Sequence, residues 1–191
     1  MELFSDLSNF QDLSKLKINN KIYRTRKEFE PEAYFCFSFG VGEEYNNIIA
    51  KNLLDAIKHF GEKPIFVQTE IGDELKKAGF NKFYFFGNKY GDGESSLLLP
   101  KVSTYDVFLE FNKQLNFLKI NPRRVLYLVH QAHAKRVIEI GKKLKIFGQP
   151  FLEDKISLWP RNDPQYFVRG KYVYMIREFL TRIHHTIKGW A

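Results

Sequence analysis

The chain has 191 residues and a mass of 22.6 kDa, which fits one domain of ordinary size. Hydrophobic residues make up 44% and charged residues 27%, as in folded globular proteins, and this excludes a mainly disordered chain. The single cysteine, Cys36, excludes an intramolecular disulfide framework, and no apolar run is long enough to predict a membrane-spanning helix. We therefore expect residues 1–191 to form a single cytoplasmic domain.

Positive charge is concentrated in the second half of the chain. Residues 1–100 contain 13 Lys and Arg against 15 Asp and Glu, whereas residues 101–191 contain 17 against 7. The formal net charge of +8 therefore comes from the second half. This asymmetry favours an anionic partner, such as a nucleotide, a nucleic acid or an acidic lipid, without distinguishing among them.

An N-terminal extension, residues 1–30, precedes the predicted core. Its apolar residues recur at helical spacing and predict an amphipathic helix laid against the domain; they are Leu3, Phe4, Leu7, Phe10, Leu13 and Leu16. The apolar run Ala33 to Phe39 then predicts a strand that is buried on both faces. It ends at the sequence Gly40-Val41-Gly42.

The next residues alternate between helical and strand patterns. A helix is predicted from Glu43 to Phe60, with Gly61 as its stop signal, followed by a strand at Pro64 to Gln68. A short helix at Asp73 to Ala78 and a strand at Lys82 to Phe86 follow. The segment Gly87 to Lys101 is rich in turn residues and predicts a long loop.

The second half continues the alternation. Ser103 to Leu118 predicts a helix opened by a capping box of Ser103 and Asp106. Strands are predicted at Arg124 to Val129 and Ile146 to Leu152, with helices at Ala132 to Leu144 and Lys171 to Lys188. Because helices connect successive strands, we expect a three-layer α/β/α sandwich around a mainly parallel sheet of about five strands.

Ligands of open parallel sheets bind beyond the carboxyl ends of the strands, so the polar residues at those ends are the candidate site residues. They follow the first and fourth predicted strands and open two helices. The candidates are Gly40, Gly42, Ser103, Thr104, Asp106, His130, His133 and Arg136.

The glycine turn lets the backbone approach an anion at a helix N-terminus. The dinucleotide fingerprint is incomplete, because its third glycine position holds Tyr45, and Phe60 and Gly61 stand 20 and 21 positions beyond Gly40, where an acidic residue is expected.

His130 and His133 lie three residues apart and lack an evident third metal ligand, so no metal site is expected. An imidazole titrates near neutral pH, which suits His133 as a general acid or base. Arg136, one turn further, suits a bidentate clamp for phosphate or carboxylate. No function is assigned to His184 or His185.

Several motifs follow one another along the chain in an order that resembles a known family. They are the glycine turn, Ser103-Thr104-x-Asp106, His130-x-x-His133-x-x-Arg136, and the closing Arg177-Glu178-Phe179-Leu180 and Lys188-Gly189-Trp190. Over residues 33–190 the chain resembles the YdcF, SanA and ElyC family of domain-of-unknown-function proteins. The resemblance implies a Rossmann-like fold and a polar pocket at the strand ends. It also implies a nucleotide-like ligand, with S-adenosylmethionine suggested, and no settled reaction.

The chain departs from the family pattern at several positions. Asp106 replaces a glutamate, Val107 replaces an asparagine, and His130 stands near an expected serine. The arginine found early in the family's first helix has no counterpart in residues 43–52. These departures concern the polar residues that the family shares.

The leading hypothesis is a protein that binds a small anionic or nucleotide-like ligand. His133, Arg136 and Asp106 are its candidate catalytic residues, and Gly40, Gly42, Ser103, Thr104 and His130 bind the ligand. A second hypothesis is a nucleic-acid-binding module, with aromatic residues among basic ones: Tyr166, Tyr172, Tyr174, Arg161, Arg169 and Lys171. A third is an interaction protein with a degenerate pocket.

Overall fold

The computed structural model describes residues 29–40, 42–86, 103–151 and 168–189, together with Trp159, Asn162 and Gln165. The predicted N-terminal helix and the Gly87 to Lys101 loop lie outside these residues. The described residues contain five strands: β1 (Ala33–Cys36), β2 (Ile65–Gln68), β3 (Tyr84–Phe86), β4 (Val125–Leu128) and β5 (Gly148–Phe151). They also contain five helices: α1 (Glu43–Phe60), α2 (Thr69–Lys77), α3 (Thr104–Phe117), α4 (Gln131–Lys143) and α5 (Lys171–Ile187).

The five strands form one parallel sheet with the order β3-β2-β1-β4-β5. This is the strand order of a Rossmann-like fold, and it confirms the predicted α/β class. The connections reverse direction between β1 and β4, because β2 lies on one side of β1 and β4 on the other. The crevice at this reversal is where such sheets bind ligands.

Alternating strand side chains build one core on each face of the sheet. Tyr34 and Cys36 of β1 point into the core that α1 and α2 cover, where Leu53 and Leu75 are buried. Ala33 and Phe35 point into the opposite core, under α3 and α4. The opposite core is rich in phenylalanine, and the rings of Phe35 and Phe111 stack with their centroids 3.8 Å apart. Burial on both faces explains why the strand sequences are almost continuously apolar.

The strand β1 is shorter than the predicted Ala33 to Phe39. The backbone N–H of Ser38 donates to Gln68 Oε1, and that of Phe39 donates to Asn46 Oδ1, at 2.8 and 3.2 Å. Side chains therefore replace the sheet partners beyond Phe37, whose backbone N–H still donates to the Leu128 carbonyl oxygen at 2.9 Å. These bonds hold the last residues of the apolar run at the edge of the crevice.

The helix α2 begins at Thr69, four residues before the predicted start. Ile71 and Leu75, four residues apart, both pack into the core, so the chain turns directly from β2 into the helix. In the described part of the chain, no helix combines the length and the apolar character needed to cross a bilayer.

Candidate functional site

A pocket of about 60 Å³ opens where β1 and β2 end, beside the start of α3. The pocket holds about four to six water molecules. This space is comparable to that of a phosphate or carboxylate group. Five of the eight candidate residues line it: Gly40, Ser103, Thr104, His133 and Arg136. The lining also includes residues that the sequence analysis did not select: Gln68, Gln165, Tyr174, Arg177, Glu178, Thr181 and His185.

Thr104 and His133 make direct contact in this pocket. The Thr104 Oγ1 atom lies 2.9 Å from His133 Nε2, within hydrogen-bond distance, and both residues are buried. Thr104 is the first residue of α3, and His133 lies in the first turn of α4. The contact therefore joins the two motif segments that the sequence places 29 residues apart.

The environment of His133 favours its neutral form. Burial lowers the pKa of the imidazole well below its usual value, and the positive charge of Arg136 lowers it further. A neutral imidazole has one nitrogen that accepts a proton and one that donates. The ring is therefore neutral at neutral pH, and its lowered pKa makes it a weak base unless a nearby anion raises the pKa again.

Arg136 is held inside the protein by an ion pair. Its Nη1 atom lies 3.1 Å from Glu178 Oε2, and each side chain is only 13% exposed. Arg182 binds the other oxygen of Glu178 at 3.4 Å and reaches Glu139 at 3.2 Å. Arg136 Nε has no hydrogen-bond partner among the described residues, although it is buried. A buried donor of this kind is normally satisfied, so this N–H is an exception among the buried polar groups of the site.

Ser103 and Asp106 form the predicted capping box. Asp106 Oδ2 accepts from the Ser103 backbone N–H at 2.8 Å and from the Ser103 hydroxyl at 2.7 Å. The Asp106 backbone N–H donates to Ser103 Oγ at 3.2 Å. Ser103 lines the pocket and Asp106 does not, so the geometry assigns the Asp106 carboxylate to the helix cap. Its candidate catalytic role has no support in this arrangement.

The glycine turn is organised by Asn46, which the sequence analysis did not identify. Its side-chain amide donates to the carbonyl oxygens of Gly40 and Gly42 at 3.3 and 2.8 Å and accepts from Phe39. Gly40 has a φ of +80°, a backbone conformation that favours glycine, and it lines the pocket. Gly42 is the N-cap of α1 with a φ of −74° and does not line the pocket.

His130 lies in an aromatic cluster beside the pocket lining. Its ring stacks on that of Phe39 with the centroids 3.6 Å apart, and Tyr45, Trp159 and Tyr174 surround the pair. His130 Nδ1 also accepts from the backbone N–H of Ala132 at 3.1 Å and so caps α4. The structure gives His130 a packing and capping position, whereas the sequence analysis selected it as a ligand contact.

Helix α5 supplies one wall of the pocket through polar side chains. Arg177, Glu178, Thr181 and His185 all face the lining. Burial lowers the pKa of His185 to about 4, with Arg136 adding to the shift. The Arg177-Glu178 motif could have indicated this wall, because it is part of the family resemblance. It was not among the candidate site residues. Spacing alone does not reveal the wall, because α5 begins only at Lys171, 35 residues after Arg136.

Among the described residues, the tyrosines and basic residues that the nucleic-acid hypothesis selects do not form one surface on which bases could stack. Tyr174 is buried in the aromatic cluster, whereas Tyr172 is exposed on the opposite side of α5. Arg169 and Lys171 are exposed. Tyr166 and Arg161 lie outside the described residues.

Within the described residues, no three His, Cys, Asp or Glu side chains are close enough to hold a metal ion. Cys36 is fully buried in β1, and burial raises the pKa of its thiol well above the usual value. This environment keeps the thiol protonated and makes it a poor nucleophile.

Comparison of the chain with models of protein families, with curated proteins and with solved structures finds no match in any of the three.

Proposed function

We propose that this chain binds a small anionic or nucleotide-like ligand, with the anionic group held at Arg136 and His133. The observation that carries the proposal is the Thr104–His133 contact at 2.9 Å, because it brings both motif segments to one pocket. That pocket lies at the switch point of a parallel sheet, where ligands of such folds bind.

The charges of the lining support an anion. Two guanidinium groups, Arg136 and Arg177, stand against the single carboxylate of Glu178 among the described lining residues. The N-terminus of α3 also lies at the pocket, and its dipole favours negative charge. A ligand phosphate or carboxylate therefore finds a site of net positive charge in a partly buried setting.

Membership of the YdcF, SanA and ElyC family is part of the same proposal. It rests on the order of the motifs and on the Rossmann-like parallel sheet, since the resemblance implies a Rossmann-like fold. S-adenosylmethionine is the nucleotide-like ligand that this family suggests, and its carboxylate would pair with Arg136. The cavity fits such a group alone, so a nucleoside part would extend beyond the described lining.

His133 is the proposed general acid or base of this site. Its neutral ring contacts the Thr104 hydroxyl and lies next to Arg136 along the pocket wall. A proton taken from a ligand hydroxyl by this ring would leave an imidazolium beside two guanidinium groups. The anionic group of the ligand would offset that charge.

A thermal-shift screen of the full chain tests the proposal. The panel comprises inorganic phosphate, nucleotides, sugar phosphates, S-adenosylmethionine and short oligonucleotides. A ligand present at 100 times its Kd adds about 2.7 kcal/mol of stability, which raises the Tm of a chain of this size by roughly 5–10 °C. The same panel is run with Arg136→Gln and with Lys58→Gln, an exposed cation on α1.

We expect a shift with at least one small anionic compound in the full chain and in Lys58→Gln, and its loss in Arg136→Gln. A shift with oligonucleotides alone, weakening steeply with salt, would favour the nucleic-acid hypothesis instead. The absence of any shift would contradict ligand binding.

A further inference from the structure

Helix α5 has its polar face inside and its apolar face outside. The side chains facing the pocket are Tyr174, Arg177, Glu178, Thr181 and His185. The opposite side of the helix carries eight large apolar side chains that are 44% to 79% exposed: Tyr172, Val173, Met175, Ile176, Phe179, Leu180, Ile183 and Ile187. We call these eight side chains the outer face of α5.

This arrangement reverses the usual amphipathic pattern, in which the apolar stripe faces the core. The outer face is contiguous, because Tyr172, Ile176, Phe179, Ile183 and Ile187 recur at spacings of three and four residues. Exposed apolar patches of this kind mark surfaces that bind another segment or protein. The outer face therefore favours a second packing partner for α5 besides the pocket side of the domain.

We propose that this partner is the N-terminal segment of the same chain, residues 3–16. Its apolar residues recur at helical spacing, from Leu3 to Leu16, as the sequence analysis predicts. As a helix, 14 residues extend about 21 Å, and the 16 residues from Tyr172 to Ile187 extend about 24 Å. The two apolar stripes therefore match in length.

The charges of the two elements are complementary. Residues 1–16 contain Glu2, Asp6 and Asp12 against Lys15, a side-chain charge of −2. The exposed charges at the two ends of α5 are positive, Lys171 at its start and Lys188 at its C-cap, whereas Arg177 and Glu178 line the pocket. A second copy of α5 at the same face would bring like charges together. The charge pattern therefore favours the N-terminal segment over a dimer through α5.

The residues between the N-terminal segment and Phe29 are numerous enough to let that segment reach beyond the start of β1. Residues 17–28 comprise 12 residues, which span up to about 40 Å when extended. The described chain starts at Phe29, before β1, and Phe29 packs against the core under α1. A folded chain of this length has a radius of gyration of about 16 Å, so a connection of about 40 Å spans more than twice that radius from Phe29.

Hydrogen exchange of the full chain tests the proposal. Phe10→Asp places a charge on the apolar stripe of the N-terminal segment, and Ser8→Asp places the same charge on its polar side. We expect Phe10→Asp to speed amide exchange of α5 by about tenfold or more, because helix amides lose a packed partner. Ser8→Asp should leave α5 exchange unchanged, and slow exchange in β1 and β4 verifies the fold of each variant.

Sedimentation of the same proteins identifies the occupant. A monomeric parent chain together with the Phe10→Asp effect supports the proposal. Unchanged α5 exchange in Phe10→Asp would overturn it. A dimeric parent chain that Phe179→Asp converts to a monomer, while Phe10→Asp does not, would also overturn it and assign the outer face to a second copy.

Discussion

The Thr104 hydroxyl and the His133 imidazole lie 2.9 Å apart at the carboxyl ends of the strands, in a buried setting. The contact joins the first residue of α3 to the first turn of α4, the two helices that cover the same face of the sheet. His133 and Arg136 line the same pocket, and they are the two residues that we propose hold the anionic group of the ligand.

Removing the Thr104 hydroxyl tests how much the Thr104–His133 contact contributes to the free energy of unfolding. In Thr104→Val the shape is kept, but the buried His133 Nε2 loses its partner. We expect the free energy of unfolding to fall by about 1–3 kcal/mol, the cost of a buried unsatisfied group. Urea denaturation measures this loss. Thr186→Val, at an exposed position of α5, is the control and should stay within about 0.5 kcal/mol of the parent chain.

The Arg136–Glu178 pair should show strong energetic coupling. A double-mutant cycle with Arg136→Met and Glu178→Gln should give a coupling energy of about 1–3 kcal/mol, because both side chains are largely buried. The exposed pair Lys58–Asp55 should give about 0.2–1 kcal/mol in a matched cycle. Equal coupling energies for the two pairs would show that the Arg136–Glu178 pair stabilises the protein no more than an exposed ion pair does.

His185 predicts a specific loss of stability in acid. The pKa of its ring is about 4 in the folded protein, against about 6.5 in the unfolded chain. Below pH 6.5 the unfolded chain therefore binds more protons than the native state, and the free energy of unfolding falls as the pH drops from 6.5 towards 4. Above pH 6.5 this contribution is constant. The neighbouring Arg136 acts against protonation, whereas Asp106 acts in its favour.

Denaturation curves between pH 4 and pH 7 measure this dependence in His185→Gln and in the control Thr186→Val, at an exposed position of the same helix. We expect His185→Gln to flatten the curve, whereas Thr186→Val, which changes no titratable group, leaves its slope as in the parent chain. The prediction fails if the two variants and the parent chain lose stability in parallel.

Asn46 holds the glycine turn through its side-chain amide, so Asn46→Ala should destabilise the protein. Three hydrogen bonds are lost, and at about 0.5–1.5 kcal/mol each the free energy of unfolding should fall by about 1.5–4.5 kcal/mol. Asn47→Ala, at the next and less buried position of α1, is the matched control. If Asn46→Ala and Asn47→Ala have the same stability, the amide does not support the turn.

The fold class was predictable because a buried parallel sheet leaves a strong sequence pattern. Apolar runs such as Arg124 to Val129 alternate with helical periodicity, and helical connections imply parallel neighbours. The capping box of Ser103 and Asp106 was also predictable, because it is a local pattern of four residues. Strand ends were less predictable, since side chains of Gln68 and Asn46 replace the sheet partners of β1.

The pocket was predictable only in part. Thr104, His133 and Arg136 follow strands or open helices, so the sheet rule selects them. His130 satisfies the same rule, but its ring stacks on Phe39, and this depends on tertiary packing. The α5 wall depends on how the last helix crosses the crevice, and no local pattern around Glu178 or His185 encodes that position.

An NMR titration of the histidine rings is the most direct test of the proposed anion site at His133 and Arg136. Inorganic phosphate and S-adenosylmethionine are titrated separately into the full chain and into Arg136→Gln. We predict that the His133 and His185 resonances shift with at least one of the two compounds, and that the exposed His59 on α1 does not respond. The shifts should be lost in Arg136→Gln. Shifts that persist in Arg136→Gln, or His133 and His185 signals that respond to neither compound, would contradict an anion site at this pocket.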